Sequence, residues 1–291
     1  MASFYRILIS LFIVSSLPNP AIATSRLRML SLVEQPPIIL KYHDGPLLKG
    51  NITINLLWYG KFSTAQRSIL VDFVLSLNAL KTPRHRSVKS YSSTGQYKGG
   101  PCTLVLGNQI LDQKYSLGKS LTNEQITRLA SRSAGNKSNA INVVLTSADV
   151  AVEEFCMSEC GTHGYASYKK VKYANAWVGN PATQCPGQCA WPFHQPETSG
   201  SMEWSSKATV LAGAVTNPFD NGYYQGLSEG SLEAVSACTD IFEQGAFLGY
   251  PGEVLVDKMT GASFNAVRLN GRKYLLPAMW DPHTSKCKTF V

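Results

Sequence analysis

Cys156-Met-Ser-Glu-Cys160 and Cys185-Pro-Gly-Gln-Cys189 place four of the seven cysteines in two pairs of identical spacing, and whatever joins those sulfurs dictates how the stretch between them folds. The spacing suits a four-thiolate zinc knuckle as well as a pair of disulfides, and the compartment decides between them. The opening residues speak for export. Arg6, the apolar run from Ile7 to Leu17, the helix-breaking Pro18-Asn19-Pro20 and Ala21-Ile22-Ala23 read as a signal peptide with an Ala-x-Ala cleavage site. Residues 1–23 are expected to be removed, leaving 24–291 as one domain outside the cell. The apolar run is far short of the roughly 20 residues that span a bilayer, no later segment is apolar enough to do so, and the last residues carry neither a lipid-anchor tail nor a retrieval signal.

Export settles the thiols in favour of bridges. Cys156, Cys160, Cys185 and Cys189 are expected in two disulfides, within or across the pairs, and Cys238 and Cys287 in a third. Seven is odd, so Cys102, in the strand-like run Cys102-Thr-Leu-Val-Leu106, is the buried cysteine left over. Export also gives meaning to two glycosylation sequons, Asn51-Ile-Thr53 and Asn136-Lys-Ser138. Asn136, in a polar loop, is the better acceptor; Asn51 begins a strand.

The periodicity predicts alternating strands and helices. Ile52 to Tyr59 reads as a strand entering a core, and Ser63 caps a helix over Thr64 to Leu80 in which Ile69, Phe73, Leu77 and Leu80 share a face. A strand through Thr103 to Leu106 follows, then a helix opened by the capping box Thr122-Asn-Glu-Gln125 and a strand through Ile141 to Leu145. From Cys156 to about Ser201 the chain turns to Cys-, Gly-, Pro- and Trp-rich loops, broken by a strand at Ala174 to Val178. A helix over Ala208 to Val215 and strands at Glu253 to Asp257 and Lys273 to Leu276 complete the pattern, the last preceded by the turn signal Asn270-Gly271. The expected fold class is α/β (or α+β): a single layered domain with a disulfide-stabilised loop region.

Net charge is +8, and residues 24–100 alone carry eleven Lys or Arg against three acids. Outside a cell such a surface either holds an anionic polysaccharide, rather than nucleic acid, or is merely a soluble basic face. No catalytic motif is visible: there is no Gly-x-Ser-x-Gly elbow, no His-Glu-x-x-His helix and no phosphate loop. His43, His85, His163, His194 and His283 never stand at i, i+4. No catalytic residue, metal ligand or cofactor is therefore expected.

Several strings together carry a resemblance. They are Tyr42-His-Asp-Gly-Pro-Leu-Leu48, Asn51 to Phe62, Phe155-Cys-Met-Ser-Glu-Cys-Gly-Thr-His-Gly164, Cys185-Pro-Gly-Gln-Cys-Ala-Trp-Pro-Phe-His-Gln-Pro196, Val215-Thr-Asn-Pro-Phe219 and Gly271 to Pro282. In these the chain resembles the plant EXORDIUM or phosphate-induced protein family across nearly all of its mature length. The resemblance implies an apoplastic, wall-associated protein linked to brassinosteroid-responsive growth and cell expansion, without an established enzymatic activity. A wall or receptor protein is the other partner it implies. Two departures stand out: Asp44 replaces the family's usual Asn, and the segment between Pro196 and Thr209 is shorter than the family pattern. The helix before Pro218 is also similar to the metal-binding helix of some secreted zinc peptidases, whose ligand positions would fall on Thr209 and Gly213 and whose catalytic acid would fall on Val210. None of these can bind or activate zinc-bound water, which implies a degenerate peptidase-like fold without its metal. The competing expectation is a wall hydrolase whose site forms only in the fold.

Overall fold

Strand β1 (Gly50–Tyr59) alternates so that Ile52, Ile54, Leu56 and Trp58 enter one apolar layer while Leu57 and Tyr59 enter another. A strand buried on both faces belongs in the middle of a sheet. The computed structural model describes residues 37–77, 97–100, 102–134, 139–157, 159–168, 171–185, 189, 205–227, 230–247, 249–267 and 271–289, and Ile38–Val291 forms one compact unit. The signal-peptide reading of residues 1–23, Asn136, His85, His194 and most of the shortened 196–209 segment lie outside the described residues.

With β2 (Cys102–Asp112), β3 (Ala140–Thr146), β4 (Gly161–Tyr168) and β5 (Val171–Gly179), β1 builds a five-stranded sheet in the order β2-β1-β3-β5-β4. Four strands are parallel; β4 returns antiparallel along β5 as an edge. Helices cover both faces. Helix α1 (Thr64–Ser76) contributes Leu70, Phe73 and Val74, and helix α3 (Ser205–Thr216) contributes Val210, Leu211 and Ala214, to the layer that holds Ile52, Ile54, Leu56 and Trp58. Helix α2 (Asn123–Ser133) lays Ile126, Leu129 and Ala130 on the opposite face against Leu57, Val144 and Trp177. Each such fully buried aliphatic side chain contributes about 1.5–3 kcal/mol relative to exposure.

The expected capping box at Thr122 forms, and the expected N-cap Ser63 is also part of a full box. Gln66 N donates to Ser63 Oγ (3.1 Å) and Ser63 N to Gln66 Oε1 (2.9 Å); Thr122 and Gln125 repeat the exchange at the start of α2. Two buried asparagines shape the sheet. The β1/β2 register shifts between Ile54 and Leu56, and Asn55 Oδ1 takes up the amide of Asn108 (3.0 Å) there while Asn55 Nδ2 donates to Asn142 Oδ1 (2.9 Å). Position 107 must be glycine because a Cβ would overlap the Asn55 amide oxygen.

The region read as bridged loops contains β4, eight residues that the sequence pattern did not reveal. The two C-x3-C segments are joined crosswise, Cys156 to Cys185 and Cys160 to Cys189, and Cys238 is joined to Cys287. Cys102 lies outside the three bridges and is half-buried rather than buried. Beyond α3 the chain forms short ribbons: Lys41–Tyr42 with Tyr223–Tyr224, Leu255–Val256 with Ser263–Phe264, Ala266–Val267 with Lys273–Tyr274, and Met279–Asp281 with Lys286–Lys288. The fold is a mixed sheet with helices and three disulfides.

Candidate functional site

Edge strand β4 presents Gly161, His163 and Tyr165 to the side on which α3 packs. A Cβ at Gly161 would lie 3.2 Å from Val210 Cγ2, and one at Gly213 would overlap His163 Nε2 and lie 2.8 Å from Glu233 Oε2. The missing side chain at 213 is therefore what admits the imidazole. His163 Nε2 donates to Glu233 Oε2 (2.5 Å), and Asn217 Nδ2 donates to Glu233 Oε1 (2.7 Å). The Asn217 carbonyl in turn accepts the amide of Gly222 (2.6 Å), and Glu233 N donates to Ser236 Oγ (2.7 Å). The Glu233 carboxylate thus ties the edge strand to the end of α3, the Asn217 side-chain oxygen extends the link to the following turn, and the Glu233 main-chain amide reaches the short helix Ser236–Cys238. The side chains of His163 and Glu233 are only 13% and 17% exposed, and His163 Nδ1 is buried without a hydrogen-bond partner among the described residues.

Asp220 sits beside this pair in the left-handed backbone region (φ 61°), a conformation that costs a non-glycine residue of order 1 kcal/mol or more. The residue as a whole is exposed, yet its carboxyl is packed against protein. Burial pushes its pKa above the ordinary aspartate value, with the charge of Glu233 in the same direction and His163 and Lys172 opposing. Tyr165, with Lys172 Nζ 4.3 Å above its ring and Phe219 at its edge, forms the outer rim.

A second polar cluster lies where ligands often bind open α/β sheets, beyond the carboxyl ends of strands at the point where the strand order reverses. Here that point falls between β1 and β3. Asp149 Oδ2 accepts from Lys119 Nζ (2.6 Å) and Tyr115 Oη (2.8 Å), and its Oδ1 accepts from Ser147 Oγ (2.6 Å). The Lys119 and Ser147 bonds hold its carboxyl far below the usual range. Beside it, burial alone would raise Asp112, but Ser116 and Arg132 Nη1 (2.6 Å) outweigh it and lower the pKa. Gly60, at φ +98°, packs so tightly against Ser147 that a side chain would overlap its hydroxyl. These polar groups are paired with one another, which reads as a structural knot.

Of the residues singled out by sequence, Gly213 faces the His163–Glu233 pair, Val210 is buried against β4, and Thr209 precedes Val210 on α3. Asn51 is exposed on β1. His43 stacks on Tyr224 with ring centroids 3.7 Å apart. The sequence reading missed the grouping of His163, Asn217, Asp220 and Glu233, since His163 and Glu233 are 70 positions apart. One trace of it was visible: a glycine in the middle of an otherwise Ala-, Val- and Leu-rich helix. Among the described residues no group of three or more His, Cys, Asp or Glu is placed to hold a metal ion, and no helix is long and apolar enough to cross a membrane.

No solved structure matches the chain, so the peptidase-like architecture expected from the 209–218 segment has no support. The family described as "Phosphate-induced protein 1 conserved region" matches residues 40–290. Protein EXORDIUM-like 2 of Arabidopsis thaliana is 50% identical over 313 aligned residues that take in 100% of both chains. Protein PHOSPHATE-INDUCED 1 of Nicotiana tabacum is 46% identical with 98% of each chain covered, and Protein EXORDIUM of Arabidopsis thaliana 49% identical with 87% and 90% covered. With a match that runs from the first ribbon to the last, this chain belongs to the EXORDIUM and phosphate-induced protein family.

Proposed function

We propose that the protein is an exported, non-catalytic component of the cell wall that takes part in brassinosteroid-linked growth and cell expansion by binding an anionic wall polysaccharide. The observation that carries the non-catalytic part is the state of Glu233. It is the best-placed acid of the candidate site, and both its oxygens are already engaged, one by His163 and one by Asn217. A carboxylate committed on both oxygens to joining β4 with the end of α3 reads as a structural fastener. Three disulfides fit an oxidising compartment. The net charge of +8 supports an acidic polymer as ligand, and Lys41, Lys49 and Lys61 are exposed cations of the basic third.

Purified protein passed over immobilised polygalacturonate at rising salt tests the binding. Retention at low ionic strength that is lost as the screening length falls below about 10 Å is expected; retention that does not respond to salt, or none at all, removes the polysaccharide reading. Activity screens on peptide and glycan libraries test the rest, and turnover abolished by Glu233→Gln would replace the binding role with a hydrolytic one.

A further inference from the structure

The stretch 208–257 contains no Lys, Arg or His and seven acids, at positions 220, 229, 233, 240, 243, 253 and 257. It is the electrostatic opposite of residues 24–100. Within it the chain builds one locally bonded unit. Phe242 N and Glu243 N both donate to Pro251 O, Glu253 N donates to Gln244 O, Phe247 and Tyr250 exchange backbone hydrogen bonds, and the ribbon Leu255–Val256 with Ser263–Phe264 continues directly.

This unit carries large apolar side chains into solvent. Phe247 is 66% exposed, Tyr250 39%, Leu255 49%, Val256 57% and Met259, at the tip of the ribbon, 96%. Leu255 and Val256 are neighbours on one strand and point to opposite faces. Both are about half exposed, while Phe264 and Ser263 opposite them are buried, so the exposed apolar groups lie on the first strand and at the tip of the ribbon. Exposed apolar groups concentrated in this way mark an interaction surface. Its chemistry also selects the class of partner. The acids disfavour an anionic polymer or an anionic membrane and favour a cationic partner. Lys273 neutralises only Asp257 (2.6 Å), and Lys258 is the one cation that follows on the ribbon; Glu253 remains exposed.

We infer that the unit of residues 242–264 is a docking surface for a basic protein, which inserts apolar side chains between Phe247, Tyr250, Val256 and Met259 while its cations meet Glu243 and Glu253. The surface is separate from the polysaccharide-binding third, so the molecule would join a basic wall protein to an acidic polymer.

The test uses three synthetic probe peptides of equal length, alternating Lys/Leu, Lys/Ser and Glu/Leu, titrated against the full purified protein, together with neutral phosphatidylcholine vesicles. The Lys/Leu peptide is expected to bind at least tenfold more tightly than either other peptide, and more weakly as salt rises. Val256→Ser with Met259→Ser, both at exposed positions, and separately the charge reversal Glu253→Lys, should each weaken it by tenfold or more. Retention on polygalacturonate should stay unchanged in both variants, which distinguishes failure of this surface from failure of the polysaccharide reading. Equal affinity for the Glu/Leu peptide, variants that bind as the parent does, capture by neutral vesicles in place of the peptide, or self-association abolished by the same substitutions would each overturn the inference.

Discussion

Adding one methyl group at Gly213 sets helix propensity against packing. Alanine is favoured over glycine by about 1 kcal/mol in a helix interior, but here the Cβ would meet His163 Nε2 and Glu233 Oε2. Overpacking costs about 1–3 kcal/mol, so Gly213→Ala should destabilise the protein on balance by about 1 kcal/mol in urea unfolding. In a His163→Ala background the same substitution should be neutral or stabilising, because the obstacle is gone. Equal effects in both backgrounds would break the link between the glycine and the imidazole. Asp220 gives a pH test of the same neighbourhood. Its folded pKa lies above its unfolded value because burial penalises the charge. The group therefore favours the folded state most below its unfolded pKa and loses that contribution as pH rises through the folded one. Asp220→Asn should raise Tm relative to the parent at pH 7 and leave it little changed at pH 3; a larger gain at pH 3 would contradict the assigned cause.

Among elements, what was legible in the sequence was what is local. The helices α1 and α2 announce themselves through Ser63 with Gln66 and Thr122 with Gln125, three positions apart, and the structure forms both boxes. Strand β1 shows its burial in its own composition. Strand β4 does not: Gly161, Gly164, Ala166 and Ser167 dilute the strand formers Thr162, Tyr165 and Tyr168, and what makes the segment a strand is the eight-pair register with β5 and the bridge Cys160 to Cys189 just ahead of it. The cluster around Glu233 was illegible for a similar reason, since only the packing of α3 on β4 brings residues 163, 217 and 233 together. The bridges themselves allow a comparison. Cys156–Cys185 and Cys160–Cys189 close almost the same 29-residue loop, so each partly substitutes for the other. Cys238–Cys287 closes 49 residues alone. On the chain-entropy model its replacement by two serines should cost about 4 kcal/mol. Removing either crosswise bridge singly should cost well under the about 3.6 kcal/mol that an independent loop of that length would give on the same model, and chemical denaturation of the three double-serine variants checks it: a loss of that full size would mean that the two bridges act independently.

For the whole molecule the governing feature is charge polarity, with an excess of cations before residue 100 and an acidic run without cations from 208 to 257. A protein bound through net charge alone would respond equally to every charge change; this one should depend more on the lysines of its basic third. Charge reversal at Lys41 and Lys49 is expected to weaken polygalacturonate retention severalfold, visible as earlier elution in a salt gradient, whereas Glu253→Lys should leave it unchanged or slightly strengthen it. A gain on Glu253→Lys as large as the loss on either lysine reversal would mean that only net charge matters.

The hydrogen bond from Tyr97 Oη to the carbonyl of Trp280 (2.5 Å) spans 183 positions, and Trp280 N in turn donates to Ala234 O (2.6 Å). The first half of the sequence therefore completes its packing with residues that a ribosome delivers almost last. Closing so long a loop is slow compared with local helix formation, and an emerging chain can build its helices but cannot bury the layer around Tyr97 until Trp280 is available. Folding must follow synthesis and not accompany it, with the segment around Trp280 acting as a keystone whose loss would leave the earlier residues assembled in outline and unable to lock.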